Sequence, residues 1–328
     1  MLASEIIRRV KEIQIRTGRQ VADVLAGEYI SVFKGGGVEF DEVRPYVPGD
    51  DVRSIDWNVT ARVGQPYVKR YVEERQLTLM LMADISPSQD FGTSERSKRD
   101  VAAEFCALIA FSAIQNDDKV GLCLFHGDIE QFIPPRKGQK HALRVVREVL
   151  AHGQDVPESW GENENQDPSL WQRLFNTWRT EKGKKRLRTA DSSTNICQAM
   201  EFLLSVSKRK SVCFLVSDFL DDDYQHALMT ANRKHDVIAV LITDPRELEM
   251  PEVGLIALKD SESNVTRLYD TSSRSFAESM SSAGKERVTN LERNLRKRGI
   301  DFIHIDASSS VVDPLVNFFQ MRGKRLRR

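Results

Sequence analysis

The chain has 328 residues, which is enough for one large domain and a smaller one. It carries 48 Lys and Arg against 48 Asp and Glu, so its net charge favours neither a nucleic-acid nor a membrane partner. No apolar run approaches the roughly 20 residues that span a bilayer. The N-terminus is charged from its fifth residue and does not resemble a signal peptide, so we expect a cytoplasmic protein. The four cysteines form no C-x-x-C pair, which indicates reduced thiols rather than zinc ligands or disulfides: Cys106, Cys123, Cys197 and Cys213.

In chain order, a helix-like segment and a loop-rich region with some β character come first, and a different pattern starts at Leu77. From there, apolar runs typical of buried strands alternate with segments of helical periodicity. The predicted strands are 77–84, 119–125, 129–135 (a short edge strand stopped by prolines), 211–218, 236–244 and 300–306. The predicted helices are 97–115, 138–152, 194–210, 222–235 and 274–299. This alternation predicts an α/β fold with a doubly wound, mainly parallel sheet and helices on both faces.

Composition divides the chain into three parts. Residues 1–76 form an N-terminal region, and residues 77–310 form the α/β domain. A polar insertion over 152–193 interrupts that domain, and the apolar stripe within it is expected to pack on the core or to contact a partner. Residues 311–328 end in "MRGKRLRR" and are expected to be a basic, solvated tail.

Polar oxygen-bearing side chains follow two of the predicted strands. Asp84 ends the first core strand, in "LMLMADISPSQD", with Ser86 and Ser88 after it at two-residue spacing. Asp218 ends the fourth strand, and Thr194 begins the helix before it. Doubly wound sheets usually place their first and fourth strands side by side, and ligands bind at the carboxyl ends of strands there. Carboxylate and hydroxyl oxygens at one such crevice suit a hard cation, with Mg²⁺ favoured and Mn²⁺ or Ca²⁺ as alternatives.

Each of these residues also has an ordinary structural explanation. Asp and Ser are common in turns and at helix N-caps, and Asp218 is a candidate cap for the helix that follows it. A carboxylate at the end of a buried strand is nevertheless costly unless it has a partner. The joint placement of all five residues therefore favours a metal site over five unrelated caps.

The D-x-S-x-S, Thr and Asp set resembles the metal-ion-dependent adhesion site of von Willebrand factor A domains. The resemblance implies that Asp84, Ser86, Ser88 and Thr194 coordinate the metal directly or through water. It implies that Asp218 acts mostly through water, and that an acidic side chain of a binding partner completes the coordination shell. The sequence departs from the family pattern by having Gln where Met is common and Asn where Asp or Glu is frequent, at positions 89 and 195.

A second motif, "RPYVPGDDVRSIDWNVTAR", runs from Arg44 to Arg62 after "GGGVEF". Together they resemble domain-of-unknown-function family 58, whose members have a von Willebrand A-like domain and are often encoded beside MoxR-type AAA+ ATPases. Arginines and aspartates alternate in this motif, so it is expected to be an ion-paired latch or a docking surface for a partner. Trp57 and Ile55 are the expected anchors of the latch.

Two other functions compete with protein binding. A metal-dependent, phosphatase-like hydrolase would use Asp84 as its nucleophile, but such enzymes need a second Asp where this chain has Ser86. A nucleic-acid binder would rest on the basic C-terminus alone. The chain contains no G-x-x-x-x-G-K-[ST] phosphate loop and no G-x-S-x-G nucleophile motif. The sequence therefore predicts a non-enzymatic, metal-dependent adaptor whose partner is a MoxR-type ATPase or a protein which that ATPase remodels.

Overall fold

The structure is a computed structural model that describes residues 37–74, 76–93, 96–151, 194–249, 251–259, 265–272 and 274–326. The predicted N-terminal helix and the insertion 152–193 lie outside the described residues. The described chain divides into two compact units, a smaller one that ends at Leu77 and a larger one that starts at Thr78.

The smaller unit is built on an antiparallel strand pair, β1 (Gly37–Pro45) and β2 (Tyr67–Glu74). Between the strands lie a 3₁₀ turn, Val52–Ser54, and a short helix, α1 (Trp57–Val63). The side chain of Asp56 caps the start of α1, and Gly64 ends it in the left-handed conformation, with φ of 76°. The region expected to be rich in loops is thus built on a regular antiparallel β-sheet of two strands.

The larger unit is organised around a six-stranded sheet in the order β10-β7-β6-β3-β4-β5. Its strands are β3 (Thr78–Asp84), β4 (Lys119–Phe125), β5 (Ile129–Arg136), β6 (Val212–Ser217), β7 (Asp236–Thr243) and β10 (Asp301–Asp306). All neighbours pair in parallel except β4 and β5, and β5 is an edge strand. The mainly parallel α/β sheet is confirmed. The two prolines of β5 lie inside the strand and do not end it, as an edge position permits.

Helices follow most of the strands, as predicted. They are α2 (Lys98–Gln115), α3 (Gln139–Ala151), α4 (Ile196–Val206), α5 (Gln225–Lys234), α6 (Pro245–Leu248), α7 (Arg274–Lys297) and α8 (Val312–Leu326). The central strands β3 and β6 are buried almost throughout, because both faces of a parallel sheet are covered by other elements. Ser97 caps α2 in a reciprocal capping box with Asp100, at the first residue of the predicted helix 97–115.

Two parts of the larger unit differ from the prediction. The interpretation of 311–328 as a solvated tail is wrong, because Val312–Leu326 forms α8 and fully buries Phe319 and Leu315. Within the run that suggested a tail, Lys324 and Arg325 are exposed on this amphipathic helix, whereas Arg322 is mostly buried and pairs with Asp301 and Asp236. A hairpin of β8 (Leu255–Lys259) and β9 (Thr266–Asp270) was also not predicted.

Candidate metal centre

The candidate site lies at the carboxyl ends of two adjacent strands. Asp84 is the last residue of β3, and Asp218 directly follows β6. The two strands pair in parallel with Ala83 opposite Val216, so the predicted juxtaposition of the first and fourth core strands is confirmed. Both carboxylates are buried, Asp84 at 3% exposed and Asp218 at 0%. Parallel pairing thus brings two acidic side chains to one edge of the sheet.

The two serines connect the strands through a chain of hydrogen bonds. The Ser88 hydroxyl donates to Oδ2 of Asp218 at 2.7 Å. The hydroxyl oxygens of Ser86 and Ser88 lie 2.9 Å apart. Because Ser88 has one hydroxyl proton and gives it to Asp218, Ser86 is the donor in that contact. The lone pairs of the buried Ser86 oxygen therefore remain available to a ligand.

Asp84 accepts hydrogen bonds from Ser86 and Ser217 but has no cationic partner among the described residues. The backbone N–H of Ser86 donates to its Oδ1 at 2.8 Å, and the Ser217 hydroxyl donates to its Oδ2 at 2.7 Å. Burial, and secondly the negative charge of Asp218, raise the pKa of Asp84 to about 7. A carboxylate held in place and destabilised as an anion is well prepared to accept a cation.

Thr194 is held at the same edge by the backbone of the two residues that follow it. The N–H of Asn195 donates to the carbonyl of His126, at the end of β4, and the N–H of Ile196 donates to Asp221, in the loop after β6. Since β3 lies between β4 and β6, these bonds hold Thr194 near the end of β3. Its hydroxyl oxygen is buried and has no hydrogen-bond partner among the described residues. Such an atom is costly unless a ligand or water satisfies it.

Two capping roles considered from the sequence are assigned differently in the structure. The N-cap of α4 is Asn195, whose side chain accepts from the N–H of Gln198, so Thr194 precedes the helix and does not begin it. Asp218 does not cap α5, which starts seven residues later at Gln225. Gln89, which departs from the family pattern, is buried, and its amide group has no hydrogen-bond partner in the described part of the chain.

Lys98 is a site residue that the sequence did not reveal. Its ammonium group donates to Oδ2 of Asp218 at 3.0 Å and to Oε1 of Glu247 at 2.6 Å, and its side chain is completely buried. Burial alone would lower the pKa of Lys98, but the charges of Asp218 and Glu247 outweigh it and raise the pKa. In sequence, Lys98 is one of several charged residues at the start of a helix, where a solvated side chain is the usual outcome.

The oxygens left free by these contacts suit a hard divalent cation. They belong to the carboxylate of Asp84 and the hydroxyls of Ser86 and Thr194, with Ser88 and Asp218 behind them. Within the described ranges, no group of three or more His, Cys, Asp or Glu side chains could hold a metal. A cation here would accordingly be held mainly by hydroxyls and water, which is compatible with the preference of Mg²⁺ for oxygen and retained water.

In the segment from Arg44 to Arg62 of the smaller unit, several charged side chains form ion pairs or cap helices within the segment itself. Arg44 forms a two-bond ion pair with Asp50, at 2.7 and 2.8 Å, which lowers the pKa of that carboxyl. Asp51 and Asp56 cap the two short helices. Trp57, expected to be an anchor, is 67% exposed. One ion pair expected of the latch, Arg44 with Asp50, is therefore present, and the Trp57 side chain is accessible.

Comparison with known proteins gives the family of this chain. Residues 42–290 match the model of "Protein of unknown function DUF58". The chain belongs to this family. The uncharacterized proteins Rv1480 of Mycobacterium tuberculosis and Mb1516 of Mycobacterium bovis are each 26% identical to it over 316 residues, covering 96% of this chain and 89% of the relative. The resemblance to family 58 is confirmed, and these relatives are bacterial.

Solved structures that match include BatB from Bacteroides thetaiotaomicron, at 14% identity and a TM-score of 0.39. An aerotolerance-related membrane protein from Bacteroides fragilis matches at 13% identity and a TM-score of 0.43. Each alignment covers 76% of this DUF58 chain and 99% of the solved one. In the part of the DUF58 chain that the structure describes, the helices are too short or too polar to cross a bilayer.

Proposed function

We propose that this DUF58 protein is a non-enzymatic, metal-dependent protein-interaction module. Asp84, Ser86 and Thr194 would hold Mg²⁺ at the carboxyl edge of the sheet, and Ser88 and Asp218 would support them. The proposal rests mainly on the buried Thr194 hydroxyl, which has no hydrogen-bond partner among the described residues and lies at the edge where Asp84 ends its strand. A cation bound to these oxygens would satisfy that hydroxyl and neutralise the buried carboxylate.

The electrostatics favour binding over catalysis. Asp84 would be the one carboxylate in direct contact with the metal, so the bound Mg²⁺ would keep part of its positive charge. An electron-poor cation at the edge of a site attracts a further anionic oxygen. We therefore infer that a carboxylate from a partner protein completes the shell, as the resemblance to von Willebrand A domains implies.

The partner is inferred from the family resemblance. We propose a MoxR-type AAA+ ATPase, or a protein that this ATPase remodels, with the present chain acting as an adaptor in the assembly or activation of other complexes. The accessible Trp57 in the family motif is a candidate contact in the smaller unit, since exposed tryptophans are frequent anchors of protein interfaces.

Titration of Mg²⁺ by calorimetry tests the metal assignment. We expect heat of binding with the native chain and none with Asp84→Ala. Asp306→Ala is the matched control, because Asp306 also ends a strand of the same sheet but contacts Ser308 rather than the site. Equal heats from the native chain and Asp84→Ala would overturn the metal assignment.

Partner binding is tested with a purified MoxR-type ATPase immobilised on a support. The adaptor hypothesis predicts capture of this chain in Mg²⁺ and its release by EDTA. Capture that is indifferent to EDTA would contradict a metal-mediated contact. Mg²⁺-dependent hydrolysis of p-nitrophenyl phosphate by the chain alone, lost in Asp84→Ala, would instead favour the hydrolase.

A further inference from the structure

Lys98 is a buried cation placed directly against the candidate metal site. We propose that it is a fixed counter-charge that keeps the affinity of the site for divalent cations low. This inference rests on the proposed function and adds a residue that determines how tightly the metal is held. Its basis is the pair of ion contacts that the Lys98 ammonium makes with Asp218 and Glu247.

The first step is that Lys98 is held rigidly. Its partner Glu247 belongs to the capping box of α6, and Oε2 of Glu247 accepts from the N–H of Asp244 while Oε1 accepts from Lys98. Asp244 is held in turn by the N–H of Thr93 at 2.8 Å. The ammonium therefore lies between two anchored carboxylates, and its side chain has no exposed surface through which to move away.

The second step concerns how many hydrogen bonds and metal contacts the Asp218 carboxylate can accept. Its Oδ2 accepts from both the Ser88 hydroxyl and Lys98, so the usual acceptor directions of that oxygen are occupied. Direct coordination through Oδ2 would displace one of these donors. Asp218 can then contribute through Oδ1, whose one contact among the described residues is with the N–H of Leu220 at 3.4 Å. Water between Oδ1 and the metal is the simplest arrangement that keeps both donors in place.

The third step is the balance of charge. Asp84 and Asp218 supply two negative charges at the sheet edge, and Lys98 cancels one of them. Glu247 offsets part of the lysine charge from the far side, where its side chain is 21% exposed. Of these two carboxylates, only that of Asp84 is then left uncompensated for a divalent cation. Because opposite charges at short range interact strongly in a buried site, removing or strengthening the Lys98 charge should change metal affinity in opposite directions.

Two variants test this charge effect with Mg²⁺ and Mn²⁺ as probes in calorimetry. Lys98→Met removes the ammonium group and keeps most of the apolar side chain, and we expect metal affinity to rise by at least about tenfold. Glu247→Gln leaves the lysine charge less compensated, and we expect affinity to fall by about threefold to tenfold. Lys285→Met is the control, since Lys285 pairs with Glu249 at 2.7 Å on the exposed surface. It should leave affinity unchanged.

Removing one partner of a buried ion pair is strongly destabilising, so the melting temperature of Lys98→Met is measured with and without metal. A larger rise with Mg²⁺ than in the native chain supports the proposal. If Lys98→Met does not fold even in metal, Glu247→Gln alone decides. Affinity in Glu247→Gln equal to that of the native chain would overturn the proposal.

These results separate this inference from the proposed function. Metal binding by the native chain with no change in either variant would refute the role of Lys98 and leave the metal site standing. Binding by Lys98→Met but not by the native chain would support the role of Lys98 and refute a metal-dependent native function. No binding in any variant would refute both.

Discussion

At the scale of single residues, the site depends on which polar atoms already have partners. The Ser88 hydroxyl donates to Asp218, and Asp218 also accepts from Lys98. Asp84, Ser86 and Thr194 in contrast retain oxygen lone pairs that can accept a ligand. All five residues were selected from the sequence, because acids and hydroxyls at strand ends are visible there. Their division into free and occupied oxygens was not, because it depends on Lys98 and on the direction of each hydroxyl proton.

Asp84→Asn removes a buried negative charge with little change in side-chain size. It should therefore separate the destabilising effect of that charge on the fold from its role in metal binding. Without metal, the folded protein holds a proton on Asp84 up to about pH 7, whereas the unfolded chain releases it above 3.8. Stability of the metal-free native chain should thus fall as pH rises from about 4 to about 7. At pH 8, metal-free Asp84→Asn should be more stable by about 1–3 kcal/mol.

Urea unfolding at pH 5 and pH 8 in EDTA measures this difference. Mg²⁺ should stabilise the native chain and have no effect on Asp84→Asn. A metal-free Asp84→Asn variant that is less stable than the native chain at pH 8 would contradict the expectation.

The stability contributed by His235 should depend on pH in the opposite direction to that contributed by Asp84. It is 2% exposed, its Nδ1 lies 2.9 Å from the Ser211 hydroxyl, and burial, followed by the charge of Lys234, lowers its pKa to about 4. The unfolded chain takes up a proton below about pH 6.5, whereas the folded chain does not until about pH 4. Stability due to His235 is therefore lost as pH falls through this window.

Replacing His235 by Leu should remove about 2 kcal/mol of the stability difference between pH 8 and pH 5, measured by urea unfolding. His226→Leu is the matched control, because His226 is exposed on the neighbouring helix α5. The same acid sensitivity in His235→Leu and in the native chain would show that other groups cause it.

At the scale of secondary-structure elements, strong local patterns gave correct predictions. The apolar runs that became β3, β4, β6 and β7 are long enough to identify buried strands, and the helical spacing of apolar residues over 97–115 identified α2. The hairpin β8–β9 was missed because most side chains of β9 are exposed, and so it lacks an apolar pattern. The basic end of α8 hid a helix whose apolar residues precede it.

Phe319→Ala tests whether α8 is part of the fold. Its ring is fully buried, and Arg322 in the same helix pairs with Asp301 at 2.9 Å, so we expect a loss of about 3–5 kcal/mol in the free energy of unfolding. Met321→Ala, at a position 47% exposed, should cost less than about 0.5 kcal/mol. Chemical denaturation measures both. Equal, small losses would restore the interpretation of a solvated tail.

At the scale of the whole molecule, strand order decides the site. Ser88 and Asp218 are 130 residues apart in sequence, and their hydrogen bond exists because β3 pairs with β6. A general rule for doubly wound sheets was enough to predict that pairing. The same rule does not identify Glu247, which comes from the short helix after β7 and reaches the site only through Lys98.

All the proposed metal-site residues belong to the larger unit. A fragment of residues 78–328 keeps every described residue of that unit, so we expect it to fold and to bind Mg²⁺ with an affinity within about threefold of the full chain. Calorimetry on the fragment and the full chain measures this, with the Asp84→Ala fragment as control. A folded fragment that binds no Mg²⁺, when the full chain does, would show that residues before Thr78 contribute to the site.

The sequence by itself determined the class of fold, its central strands and the oxygen-bearing residues at their ends. These features are local, since an apolar run or a cap is specified by residues close to one another in the chain. Only the tertiary structure decided that Lys98 is buried, that it pairs with Asp218 and Glu247, and that α8 packs its apolar face. The reason is that a charged side chain can be buried only against partners, and these partners come from distant strands and helices.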